Sequence, residues 1–161
     1  MNSRYQELAS RIRGELSDLD RVVQRAQHAW QQVLNTSDNQ AYLDSVALNL
    51  HGLYSGLERL FELVARHLDG VTPEGKTWHR DLLQRMAQEM PELRPAVISL
   101  ETLRALDDYR RFRHLVRNLY TFNLVPERLE DLMTPLPRAW QDVKAELLAF
   151  AEFLEDLAHT E

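Results

Sequence analysis

Apolar residues recur at steps of three and four along most of the chain. The first run is the clearest: Tyr5, Leu8, Ile12, Leu16, Leu19, Val23, Ala26, Trp30 and Val33. That period is helical, and its single narrow seam suits lengthwise packing on another helix, within one chain or between two. "NTSDNQ" supplies capping and turn residues after it. A second helix is expected over about residues 40–69, where Leu50, Leu53, Leu57, Leu60, Phe61, Val64 and Leu68 form a wide apolar stripe. Gly70 is a natural stop, and "GVTPEGK" reads as the clearest loop in the chain. Two long helices with a short turn between them make an antiparallel hairpin.

A shorter helix is expected over about residues 77–90, broken by Pro91 and Pro95. Ser99 in "SLET" is placed to cap the next helix, which runs to about residue 122. Pro126 occupies a first helical position, and Pro135 and Pro137 punctuate again. A last helix over about residues 138–158 would bury Trp140, Val143, Leu147, Phe150 and Leu154. No repeat, low-complexity tract or second domain is visible. Residues 1–161 therefore read as one all-α domain, an antiparallel helical bundle of about five helices.

Composition narrows the setting. Hydrophobic residues at 44% and charged residues at 27% give a globular rather than a disordered balance. Glycine and proline are scarce, which favours helices over a turn-rich β fold. There is no cysteine, so disulfides and thiolate metal sites are excluded and a cytoplasmic location is expected. The start, "MNSRYQELASRIRGEL", mixes charge into its apolar positions unlike a signal peptide. No stretch approaches the roughly 20 apolar residues of a membrane span. With a net charge of -6, bulk attraction to a polyanion is not expected, so any such contact needs a local patch.

One patch stands out. Arg110, Arg111, Arg113, His114 and Arg117 fall close together, and residues 110–120 contain no carboxylate. On a helical wheel Ala105, Tyr109, Phe112, Val116 and Leu119 form the core stripe, while Arg110, His114 and Arg117 point largely away. Arg113 and Tyr120 share one flank, and Asn118 lies toward the other. A guanidinium fork suits phosphate oxygens, and the interleaved Phe112, Tyr120 and Phe122 could stack on bases. The plain alternative is a solvated helix face paired with acids such as Glu58 or Glu62. Glu58 with Glu62, or Asp107 with Asp108, lacks the Glu-x-x-His partners of a di-metal bundle. Neither a nucleophilic triad nor a phosphate-cradling glycine loop is expected, and no metal or cofactor is implied.

The stretch from Arg113 to Tyr120 resembles the signature of HEPN domains, in particular the HepT-like toxins of prokaryotes. That signature is an arginine, a polar residue, three more positions, then histidine, any residue and tyrosine. Arg113 matches the arginine, His114 takes the polar position, Asn118 stands where the histidine belongs, and Tyr120 matches the tyrosine. "LNLHGLYSGLERLFELVARHLDG" and "WHRDLL" also look like HepT-like relatives, so the resemblance is best over about residues 40–125.

The resemblance implies a specific activity. HEPN domains are mostly metal-independent endoribonucleases that act as homodimers, with two motif helices building one composite cleft. Arg113 would steady the phosphate while a histidine moves protons as the RNA 2′-OH attacks. Positions 113 and 118 lie about 140° apart on one ideal helix, and a two-fold pairing of helices removes that difficulty. Arg110, Arg117 and His51 are further candidates for contacting RNA. A minimal nucleotidyltransferase antitoxin would transfer AMP to Tyr120, adding negative charge beside the arginines. An amide does not titrate, so Asn118 can only hydrogen-bond. Proton transfer then falls to His114, or to His51 or His79 from elsewhere in the chain. The alternatives are a catalytically inactive RNA- or protein-binding module, and a helical scaffold whose basic face docks an acidic protein.

Overall fold

The computed structural model describes residues 3–118 and 124–160, and for 117 and 118 the backbone alone. The apolar seam of the first run builds α1 (Ser3–Asn35), and its members from Leu8 to Val33 are buried. They are covered by α2 (Gln40–Val64) and α6 (Leu136–Thr160), so the seam is satisfied within one chain. Both partners run antiparallel to α1. Along α2, Arg4 donates to the His67 carbonyl at 2.7 Å and Arg59 meets Glu15 at 3.1 Å. Along α6, Arg13 meets Glu155 at 2.8 Å, while Asp20 accepts from Trp140 Nε1 and Lys144 Nζ, each at 2.7 Å. Burial acts to raise the Asp20 pKa, but the Lys144 and Trp140 hydrogen bonds outweigh it and hold the group below its usual range.

The long second helix is present to its expected end, but its last turn, Ala65–Asp69, widens into π geometry. Gly70 then stops it in the left-handed region at φ 74°, where a Cβ would be strained. Asp69 accepts from Arg94 Nε at 2.7 Å and Nη2 at 2.9 Å, and from Arg85 Nε at 2.8 Å. The side chains of Asp69 and Arg94 are both 0% exposed, so this is a fully buried ion pair. Arg94 places its remaining donors on the carbonyls of Arg85, Gln88 and Pro95.

That cross-link explains why α3 (Trp78–Met86) is shorter than expected. The Arg94 guanidinium takes the carbonyl of Arg85, and the Val97 and Ile98 amides both take that of Met86. The last carbonyls of α3 thus find partners outside any continuing helix, and the helix ends about four residues early.

α4 (Leu100–Asn118) begins where the sequence places its cap: Ser99 Oγ accepts the Thr102 amide at 3.1 Å. Glu146 from α6 adds to the cap, accepting the Ser99 amide and the Thr102 hydroxyl, each at 2.6 Å. The Tyr109 hydroxyl donates to the Leu132 carbonyl at 2.6 Å and ties α4 to α5 (Pro126–Met133). Pro126 is the first residue of α5, a short sixth helix beyond the five main ones. Among the described residues there is no extended strand, and a core drawn from all six helices makes this an all-α bundle.

Candidate functional site

α3, α4 and the loop before α3 line a cleft of about 480 Å³, and α2 supplies the residues that hold two of the lining side chains. On α2, Ser55 and Glu58 lie one turn apart on the same face. Glu58 is 4% exposed, and a buried carboxylate needs partners. His79, from the first turn of α3, brings Nδ1 to 2.7 Å from Glu58 Oε2. Arg113, from α4, places Nη1 3.8 Å from Glu58 Oε1 and donates from Nε to Ser55 Oγ at 2.8 Å. One carboxylate therefore holds a histidine by a hydrogen bond and faces an arginine that Ser55 holds, and both line the cleft. Neighbouring Tyr54 reports the same field. Burial first, and the Glu58 charge second, raise its phenol pKa, so it stays neutral.

The cleft is cationic. Arg110, Arg113 and His114 form its α4 wall, and Lys76, Trp78, His79 and Arg80 form the facing side. Trp78 and His79 lie ring against ring at a 31° tilt with centroids 3.6 Å apart, a pairing between adjacent residues that opens α3.

Two contacts temper the charge of the α4 wall. Arg110 does not simply face solvent: its side chain is 18% exposed, lines the cleft and bonds Asp107 at 2.7 Å. The positive field is also partly cancelled from just outside residues 110–120. Asp107 and Asp108, one turn before the cluster, pair with Arg110 and Arg111 at three- and four-residue spacings. Arg111 is spent on those acids, with Nη2 2.8 Å from Asp108. The arginine that meets Glu58 is Arg113, so an acid named for the plain surface reading is here a buried anchor.

The other sequence candidates fall as follows. His114 is exposed and lines the cleft. His51 lies on α2 one turn before Ser55 and two before Glu58, on the same face, and is partly buried. Its neighbours Tyr54 and Glu58 are buried, so this face of α2 is turned inward and is not a polar outer side. The described residues that line the cleft do not include His51. Arg117 and Asn118 close α4, and their side chains lie outside the described residues, as does Tyr120.

Sequence reasoning passed over Lys76, Trp78 and Arg80. A signal was present: residues 70–77, GVTPEGKT, spell G-x-x-x-x-G-K-T. In its usual setting that spelling follows a strand and wraps phosphates. Here it joins two helices, so the phosphate-loop fold is not formed, but Gly75, Lys76 and Thr77 still reach the cleft. Among the described residues no group of His, Asp and Glu is arranged to hold a metal ion, and no helix is long and apolar enough to cross a membrane.

A family model described as HepT-like protein matches residues 45–154, a span that takes in Ser55, Glu58, His79 and all of α4. No curated protein and no solved structure gives a match. A match over more than half of the chain, on the segment that builds the cleft, settles the kinship: the chain belongs to the HepT-like family of HEPN proteins.

Proposed function

We propose that the chain is the toxin component of a cytoplasmic HepT-like toxin–antitoxin pair. It binds RNA in the cationic cleft and cleaves it as a metal-independent endoribonuclease. The observation that carries this reading is the gathering of Lys76, Arg80, Arg110, Arg113 and His114 around one cleft of a chain with net charge -6. Such a patch attracts a polyanion locally while the rest of the surface repels it.

Arg113 has the strongest claim to the phosphate. Its Nε is held by Ser55, and Glu58 lies on one side of the guanidinium, which leaves the fork oriented rather than freely rotating. Arg110, Lys76 and Arg80 add contacts to the RNA backbone, and Arg117 and Asn118 are proposed as further contacts on the strength of the family motif alone. His51 lies further along the inward-turned α2 face and is not among the described residues lining the cleft, so this reading gives it no contact with RNA. Two chains pair through α4, so that each motif helix supplies part of a shared cleft. A nucleotidyltransferase antitoxin adds AMP to Tyr120, and the added negative charge beside the arginines blocks RNA.

The test uses purified protein and a single-stranded RNA, with and without EDTA. Cleavage persists in the chelator and falls at least about 100-fold in Arg113→Ala, the scale of losing a transition-state charge contact. Circular dichroism verifies that the variant is folded. The same assay on protein co-expressed with its nucleotidyltransferase shows AMP on Tyr120 by intact mass and reduced cleavage. Asn118, an amide at the motif histidine position, favours a second reading: a binding module that holds RNA or protein without cutting it. RNA binding that depends on Arg113, with no cleavage under any condition, would establish that reading instead.

A further inference from the structure

We propose that His79, held by Glu58, is the proton-transfer residue of the cleft and does the work that Asn118 cannot. The inference rests on the ribonuclease reading above and names the residue that performs its chemical step.

The geometry is that of an oriented base. Glu58 is buried, comes from a different helix, and contacts Nδ1 of His79 at 2.7 Å. A carboxylate there fixes the proton on Nδ1 and leaves the Nε2 lone pair as the nitrogen available to the cleft that His79 lines. The Trp78 ring, tilted 31° to the imidazole with centroids 3.6 Å apart, crowds one face of it. The opposite oxygen of Glu58 faces Arg113 at 3.8 Å, so the base and the phosphate-holding arginine flank the same buried carboxylate. His114 also lines the cleft, but it is exposed on the outer turn of α4.

The step balances without an oxidant or a further co-reactant. The RNA 2′-oxygen bonds to the adjacent phosphorus while its proton passes to His79 Nε2. The bond from phosphorus to the 5′-oxygen breaks, and water protonates that oxygen. The products are a 2′,3′-cyclic phosphate and a 5′-hydroxyl, and the imidazolium returns its proton to solvent. His79 is the catalytic residue in this scheme and Glu58 is a positioning residue.

The experiment compares wild type, His79→Ala, His79→Asn and Glu58→Gln in single-turnover cleavage, with RNA binding followed separately by anisotropy. Asparagine can keep a hydrogen bond to Glu58 but cannot titrate, so it guards against a loss caused by stranding the carboxylate. Both His79 variants lose about 100-fold or more in rate with unchanged RNA affinity. Added imidazole restores part of the rate in His79→Ala, which a purely structural role would not allow. Glu58→Gln loses about 10- to 100-fold, with imidazole giving no rescue. Full cleavage by either His79 variant overturns the assignment and leaves the ribonuclease reading standing. A wild type that binds RNA without cutting also overturns it, leaving only the binding cleft. A wild type that neither binds nor cuts overturns both.

Discussion

At the scale of single residues the largest stake is the contact between Asp69 and Arg94. Both side chains are out of solvent, and Arg94 also holds three backbone carbonyls. Removing one partner of such a pair leaves a buried charge and typically costs about 3–5 kcal/mol. Burial acts to raise the Asp69 pKa, yet the Arg94 and Arg85 hydrogen bonds win and hold it below its ordinary value. A depressed folded pKa means that the stabilisation is fully present above the unfolded value of about 3.9 and is lost as pH falls through the folded value. Urea denaturation from neutral pH downward should therefore show stability dropping below about pH 4, by at most about 1.4 kcal/mol per pH unit from this group. Arg94→Ala should lower stability by about 3–5 kcal/mol at neutral pH, and Asp69→Asn should flatten the acid limb. An unchanged acid limb in Asp69→Asn would show that other carboxylates govern acid unfolding. The sequence names these residues but not their meetings. Asp69 and Arg94, like Glu58 and His79, sit on different segments, and only the packing of those segments brings them together. The arginine cluster was legible because it lies on one helix, and Glu58 was legible as an acid to pair with it, but the burial of Glu58 and its contact with His79 were not.

Elements were far easier to read, because helix period, caps and stops are local properties. The seam of α1, the Ser99 cap, the Gly70 stop and Pro126 at the head of α5 all stand where the residue pattern places them. The exception, the early end of α3, is set by a side chain eight residues beyond its last turn and could not be seen locally. Glycines within the helices give a sharp test of how element and packing differ. Gly14 in α1 is exposed, and a Cβ there would meet nothing within 4 Å. Gly14→Ala should raise stability by about 0.5–1 kcal/mol, because alanine is the better helix former. Gly56 in α2 is different: a Cβ would come to 2.6 Å from Leu19 Cδ2 and 3.1 Å from Glu15 Oε1. Leu19 is itself buried in the core, so it can yield only by disturbing its own packing. Gly56→Ala should therefore bring no gain and a loss of up to about 3 kcal/mol, read by chemical denaturation beside Gly14→Ala. Equal gains from both substitutions would mean that α1 and α2 approach less closely than the structure has them.

For the whole molecule, the proposed function asks how an acidic protein would hold RNA, and salt dependence tests it. A chain with net charge -6 has no general attraction for a polyanion, so the affinity must come from a countable set of cations. In one cleft that set is Lys76, Arg80, Arg110 and Arg113. Counterion release from single-stranded nucleic acid gives a slope of about -0.7 per neutralised phosphate in a plot of log affinity against log salt. One cleft should then give a slope near about -3, and two clefts joined across a dimer and filled by one RNA near about -6. Arg110 already faces Asp107, so its share is the smallest, and Lys76→Ala should reduce the slope more than Arg110→Ala does. The decisive measurement pairs anisotropy at several salt concentrations with light scattering on the same samples. The dimer reading expects twice the 18.9 kDa chain mass and the steeper slope. A substitution that places a glutamate on the exposed side of α4, such as Arg104→Glu, should lower both the mass and the slope toward the single-cleft value while the helices stay folded. A monomer at micromolar concentration with a slope near about -3 would confine RNA binding to one chain's cleft and remove the need for a two-fold partner.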